Sequence, residues 1–345
     1  MFAARLILLC SILTIVIVPG PSAHMQERDF CVSVWYPSSE DPTGYDSLMA
    51  NVDIIHEVTP FWYNPNLDGT LLLRLGAEDE EKLTEWREAG LIIMPTIVSF
   101  EGSGMIETPE LRQTHIDEIV DRVERMDYDG IDIDYEGFAL DTRDAYSTFI
   151  EDLAAELHER GKLISIAVHA KTADVSQWDA ATAQDWERLT AAVDIFRIMT
   201  YDYHNRNSDA GPIAPLEWVL DVIEYASSVT GLGKVRLGLH FYGYSWQRGT
   251  TAVITWKTVS RWITSFDLEF ERDPADMEAF LTLSLRGLPR QTAYVADSVG
   301  LDYKLTHVLT EYPELSGIAI WGIGGEDPAN WDVLRRLSST CSLKE

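Results

Sequence analysis

Nine consecutive residues, Tyr128-Asp-Gly-Ile-Asp-Ile-Asp-Tyr-Glu136, concentrate four acids at a spacing that could do chemistry. On a β-strand successive side chains face opposite ways, so Asp132, Asp134 and Glu136 share one face and Ile131, Ile133 and Tyr135 the other. Carboxylates this close cannot all ionise freely, and burial sharpens the penalty. What such a cluster offers is a split in pKa: one carboxyl stays protonated as a general acid beside an ionised neighbour. Asp129 precedes Gly130, lies out of phase with that face, and reads as structural. Two other uses are open to the acids. They could hold a divalent cation through oxygen ligands, although the spacing is not an EF-hand loop. They could also be the wet face of an edge strand, which the apolar alternate residues argue against.

Elements that could position this segment recur along the chain. Strand-like runs occupy Cys31–Tyr36, Ile54–Tyr63, Leu91–Phe100, Gly130–Glu136, Leu163–Ala170, Ile195–Tyr203, Val235–Trp246 and Gly317–Trp321. Between them fall helical patterns, among them Glu78–Ala89, Pro109–Met126 (Ile116, Ile119, Val120 and Val123 on one face) and Arg143–Arg160. Strands alternating with helices predict an α/β fold, a (β/α)8 TIM barrel in which the acids point inward near the C-terminal end of the fourth strand, where barrel enzymes work. An open doubly wound sheet is the alternative, but no Gly-rich loop follows the first strand. The connection Gln247–Ser316 is too long for one helix; without it the chain approaches the ~250 residues of this barrel. A small α+β insertion, about 247–300, is expected between strands seven and eight, with strand-like patches at Leu268–Phe270 and Gln291–Val295.

Composition bounds the partners. The 345 residues carry 27 Lys+Arg against 56 Asp+Glu, a formal charge of −29. That field repels phosphate backbones and anionic lipid, so no nucleic-acid or membrane-surface partner is expected. Its plain reading is a solvated surface, whose self-repulsion salt would screen. Eleven Trp and fourteen Tyr suit the flat faces of sugar rings. Residues 1–23 combine Arg5, an apolar run from Leu6 to Val18 and a small-residue site ending at Ala23, which predicts a cleaved signal peptide and export. The mature chain then keeps Cys31 and Cys341, which a closed barrel would bring together and an oxidising compartment would allow to pair.

Asp129-x-x-Asp132-x-Asp134-x-Glu136 resembles the DxxDxDxE signature of glycoside hydrolase family 18, the chitinase family. Met199-Thr-Tyr201-Asp202 is similar to its sixth-strand Met-x-Tyr-Asp, GLHFYGYSW (Gly238–Trp246) to its seventh-strand segment, and Trp321 ends the eighth strand. The resemblance spans about 30–335, within a catalytic domain expected over 30–340. It departs where many chitinases carry SxGG, here Pro95-Thr-Ile-Val98, and at Tyr244, where many have Arg. His56–Leu71 and Gly317–Trp331 look more like spore-germination and cortex-lytic members.

The resemblance implies a glycosidase acting on N-acetylglucosamine-containing polysaccharide by substrate-assisted retaining catalysis, with no metal and no cofactor. Glu136 would protonate the leaving oxygen. Asp134 would orient the 2-acetamido group, Asp132 would share its proton, and Tyr201 would hydrogen-bond the acetamido oxygen. Asp202, Met199, Trp321, Trp62 and Tyr242 would bind the sugar. The enzyme would be a secreted monomer. A lectin-like member that binds without cutting is the alternative, against which the intact Glu136 argues. His56, His169, His204 and His240 fall on four strands without the HxH pair of a metallo-hydrolase and read as satisfied barrel histidines.

Overall fold

The computed structural model describes residues 30–37, 42–100, 104–284, 289–337, 341 and 343. The expected signal peptide, 1–23, lies outside the described residues. Seven barrel strands come first: β1 (Cys31–Tyr36), β2 (Glu57–Pro65), β3 (Thr96–Ser99), β4 (Gly130–Tyr135), β5 (Leu163–His169), β6 (Ile195–Met199) and β7 (Val235–His240), with the short strands Leu71–Leu73 and Ile92–Ile93 paired to β2. An antiparallel group follows: β8 (Gly243–Gln247), β9 (Thr250–Ile254), β10 (Glu271–Arg272), β11 (Ala279–Leu283) and β12 (Gln291–Val295). The last strand is β13 (Gly317–Trp321). Strands β1 to β7 and β13 pair in parallel with their neighbours in chain order, and β13 pairs with β1 to close the ring. The expected (β/α)8 barrel is the fold.

The helices form where the 3.6-residue pattern predicts. Pro109–Arg125 is capped by Thr108, whose side chain accepts from the Leu111 N–H, and it buries Ile116, Ile119, Val120 and Val123 against the barrel. Arg143–Glu159 buries Tyr146, Phe149, Ile150, Leu153 and Leu157 in the same way. No described helix is long and apolar enough to cross a membrane. At the start of β4, a Cβ on Gly130 would lie 2.1 Å from the Leu163 carbonyl oxygen, so only glycine lets β4 approach β5 there.

Two expected strands are broken. Leu91–Phe100 becomes Ile92–Ile93 and β3, interrupted at Met94-Pro95, where proline has no N–H to give the ladder. Val235–Trp246 becomes β7 and β8. The chain leaves the barrel after His240, and Gly243, whose Cβ would meet the Tyr294 oxygen at 2.1 Å, lets β8 pair with β12 instead. The additional sheet therefore starts before residue 247 and its last strand ends at Val295. In place of a strand at Leu268–Phe270 the structure has β10, and Phe270 stacks on Trp256 at 5.0 Å. This sheet has its own apolar core of Ile254, Val259, Leu281, Leu283 and Val295.

Cys31 and Cys341 are bonded, with Cα atoms 4.9 Å apart across a sequence separation of 310. The bridge ties the first barrel strand to the far end of the chain. A native disulfide typically contributes about 2–4 kcal/mol. Reduction, or Cys31→Ser, should therefore lower the urea midpoint, and a non-reduced digest should yield the Cys31 and Cys341 peptides linked. Two alkylated free peptides and an unchanged midpoint would show that the bridge is absent in solution.

Candidate active site

The acidic face of β4 lies inside the barrel, as its alternation requires. Asp132 is fully buried, and both its oxygens are taken. Oδ2 accepts from Trp35 Nε1 at 3.1 Å and Thr96 Oγ1 at 2.9 Å; Oδ1 accepts from Arg197 Nη1 at 2.6 Å and from the Ser165 hydroxyl. Arg197, equally buried, also reaches Glu57 at 2.8 Å and Ser33 at 3.2 Å. Arg236 binds the other oxygen of Glu57 at 2.9 Å. Burial pushes the Glu57 carboxyl up, but the guanidinium groups of Arg236 and Arg197 outweigh it and hold it below the ordinary range. This charge network, missed in the sequence, is the polar floor of the site.

One step further along the strand the balance reverses. Asp134 is 4% exposed, and its Oδ1 has no hydrogen-bond partner. Burial, then the charges of Glu136 and Asp132, push its carboxyl well above the ordinary range. Among the described residues no hydrogen bond joins Asp132 to Asp134, and the effect of Asp132 on Asp134 in this state is through charge. Glu136 keeps a quarter of its side chain exposed, at the wall of an open cleft of about 510 Å³. Burial and the neighbouring Asp202 push it up to about 7, as a general acid working near neutrality requires.

Around these acids the remaining expected residues gather, with one exception. Tyr201, Met199 and Trp321 pack with Trp35, Phe61, Val98, Ala167 and Ala319 in an apolar layer at the mouth. Burial and the nearby carboxylates push the Tyr201 phenol up, which keeps it a hydrogen-bond donor. Asp202 adopts a left-handed φ of 62°. That turn aims its carboxylate at the hydroxyls of Tyr242, 2.5 Å, and Tyr244, 3.1 Å. Tyr244, placed where many chitinases have Arg, thus supplies a hydrogen bond and no charge. Trp62 is the correction. It is fully buried and stacks on Trp86 at 5.8 Å in the layer between strands and helices, so it cannot reach a sugar. Its neighbour Phe61 takes the inward position, 5.0 Å from Trp321.

The other sequence candidates sort as structure. Asp129 accepts from the Ile93 N–H at 2.8 Å and pins the start of β4. His56 accepts from the Val32 N–H at 3.0 Å, and His240 lies 3.7 Å from Glu278 in the junction with the additional sheet. His169 belongs to the site: one ring nitrogen is 3.1 Å from the Glu136 carbonyl oxygen, the other 3.9 Å from its carboxylate. Trp178, its ring 4.2 Å from His169, joins it in lining the cleft, with Asn205, Arg206 and Trp218. Position at the end of β5 was the available signal for His169; the loop residues gave none.

A parallel barrel with a raised carboxyl at its mouth, an apolar aromatic layer beside it and an open cleft matches the glycoside-cleaving class of barrel protein. The chain belongs to glycoside hydrolase family 18: the family model "Glycosyl hydrolases family 18" matches residues 73–323. Among named relatives, the cortical fragment-lytic enzyme of Bacillus subtilis is 24% identical over 239 residues, which cover 68% of this chain and 55% of that protein. The Bacillus subtilis protein YdhD is 32% identical over 152 residues, covering 43% of this chain and 36% of that one. The chain thus spans about a third to a half of these two relatives. Among solved structures, the spore cortex-lytic enzyme SleL of Bacillus cereus superposes with a TM-score of 0.82 at 20% identity, over 93% of this chain and 77% of that one. A chitinase of Chromobacterium violaceum gives 0.81 at 22% identity, over 89% and 98%.

The raised carboxyl also makes a prediction about stability. Below pH 4.5, the ordinary value for Glu136, the group is protonated folded or unfolded and costs nothing. Between there and about 7 the unfolded chain ionises first, so folding loses stability as pH rises. Glu136→Gln removes that loss. The variant should match wild type at pH 4 and exceed it at pH 8 by at most about 3 kcal/mol, less for the exposed fraction. Urea midpoints across that range measure it; parallel curves would mean that Glu136 titrates normally.

Proposed function

We propose that the protein is a glycosidase that hydrolyses β-linked N-acetylglucosamine-containing glycans, chitin, chitooligosaccharides or peptidoglycan, by substrate-assisted retaining catalysis. The observation that carries this is the pair at the end of β4: an acid at Glu136 raised to about 7, beside a buried Asp134 oxygen with no partner of its own. A 2-acetamido N–H would complete that oxygen. The names of the relatives, cortex-lytic enzymes and chitinases, support the same substrate class.

In this scheme the Glu136 proton passes to the glycosidic oxygen as its bond to C1 breaks. The substrate's own acetamido oxygen bonds to C1, and Asp134 holds the acetamido nitrogen as positive charge develops. Tyr201 donates to the acetamido oxygen, and Trp321 carries the apolar face of the ring. Water then attacks C1 from the side the leaving group left, giving its proton to the Glu136 carboxylate as the bond from C1 to the acetamido oxygen breaks and the acetamido group re-forms; two inversions retain the configuration. We place the protein in an oxidising, extracytoplasmic compartment, a reading that the Cys31–Cys341 bridge supports.

Glu136→Gln keeps the shape and loses the proton. It should lower turnover of chitooligosaccharides or peptidoglycan by at least the roughly 10²–10⁴-fold of general acid catalysis, with glycan binding retained. Analogues lacking the 2-acetamido group should be inert. Full activity of Glu136→Gln, or cleavage of plain β-glucosides, would overturn the scheme. Binding without hydrolysis by wild type would leave a lectin.

A further inference from the structure

The catalytic cleft does not end at its acids. Its wall on the β6 side carries Arg206 and Asn207, and the same two residues line a second hollow with Trp246 and Arg248. The backbone on both sides is fixed. Asn205 is tied by its own side chain to the Asp202 carbonyl at 2.9 Å, and its carbonyl accepts from Trp246 Nε1 at 3.0 Å. Arg248 sits in the turn between β8 and β9, closed by the Gln247–Thr250 pairing and a left-handed Gly249.

The place of these two charges, beside the cleft that holds Glu136, is what bears on the ligand. The chain has 27 Lys+Arg against 56 Asp+Glu, so a basic side chain has abundant acids to pair with. Arg122, Arg143, Arg188, Arg197 and Arg335 each do so, several of them with two carboxylates. Arg206 and Arg248, like Arg74, Arg87, Lys234, Lys257, Arg261 and Arg290, have no ion pair among the described residues; what sets these two apart is that they line the hollow adjoining the catalytic cleft, which Asp209 also lines. Two arginines thus line one hollow with Trp246, and one of them, Arg206, also lines the cleft that holds Glu136. A field of −29 repels an anionic ligand, and a local pair of cations offsets it at this place. Guanidinium presents a planar fork that fits a carboxylate in two parallel hydrogen bonds, which an ammonium does not.

We propose that Arg206 and Arg248 form a carboxylate-binding subsite that selects acid-bearing glycans, in which N-acetylglucosamine alternates with a sugar carrying a lactyl ether or peptide carboxylate, over neutral chitin. The subsite rests on the glycosidase reading for its connection to hydrolysis. It narrows the substrate class to peptidoglycan. Because both groups are exposed, each contributes modestly, about three- to tenfold in selectivity, and the preference falls with salt.

The test compares soluble peptidoglycan strands, the same strands with carboxylates capped as methylamides, and chitohexaose. The quantity read is the ratio of kcat/KM for the acidic to the capped strands, in wild type, Arg206→Gln, Arg248→Gln and the double variant. The ratio should exceed one in wild type, drop about three- to tenfold for each single change, and approach one in the double variant and in molar salt. A ratio that the substitutions leave unchanged, or an equal loss on capped strands, would overturn the subsite. Affinities for acidic and capped strands measured calorimetrically in the Glu136→Gln background separate the two readings. If wild type hydrolyses none of the three glycans, the glycosidase reading falls. The affinity ratio then decides the subsite alone, upheld if it depends on the arginines and refuted if it does not.

Discussion

Three carboxylates on one face of one strand are tolerable only because one of them is neutralised from below. Arg197 does this, with its guanidinium shared between Asp132 at 2.6 Å and Glu57 at 2.8 Å in full burial. Glu57 is in turn shared with Arg236, so two acids and two bases alternate across β4, β6, β2 and β7. Such a network adds little net stability compared with apolar packing, but breaking it would strand a buried charge at a cost of about 3–5 kcal/mol. Its consequence is directional. Asp132 is locked to four donors, Asp134 is left with an unpartnered oxygen, and Glu136 is the acid that meets the cleft.

The barrel was legible because its signals are local. Alternation within Gly130–Tyr135 gives the inward face, and helical spacing in Pro109–Arg125 gives the packing face. Both need only near neighbours in sequence. The same parity rule also corrects Trp62. Counting by twos from Glu57 through Thr59 places Phe61 inward and Trp62 outward, where it stacks on Trp86. Aromatic character and a position near the strand end suggested Trp62, and neither property says which way a side chain points.

What was not legible depends on long-range pairing. Arg197 stands in an apolar strand, Ile195–Met199, and its inward parity could be counted, but its partners are 65 and 140 residues away. The exit of the chain from the barrel at Phe241-Tyr242 is set by pairing with Gln291–Val295, which no window around residue 240 contains. The cleft residues Asn205, Arg206 and Trp178 lie on loops with no periodicity, placed by hydrogen bonds to Asp202 and Trp246 and by contact with His169. Function here sits on loops held by a scaffold, and the scaffold is what sequence pattern describes.

The central claim is that the fold raises the Glu136 carboxyl to about 7, so that a large fraction still holds its proton near neutral pH. Carboxyl ¹³C NMR on protein labelled at Glu side chains, titrated from pH 4 to 9, reads it directly, with the signal assigned by its loss in Glu136→Gln. The account predicts a Glu136 carboxyl that titrates near 7. A Glu136 signal already fully ionised by pH 6, titrating at the ordinary 4.5, would contradict it.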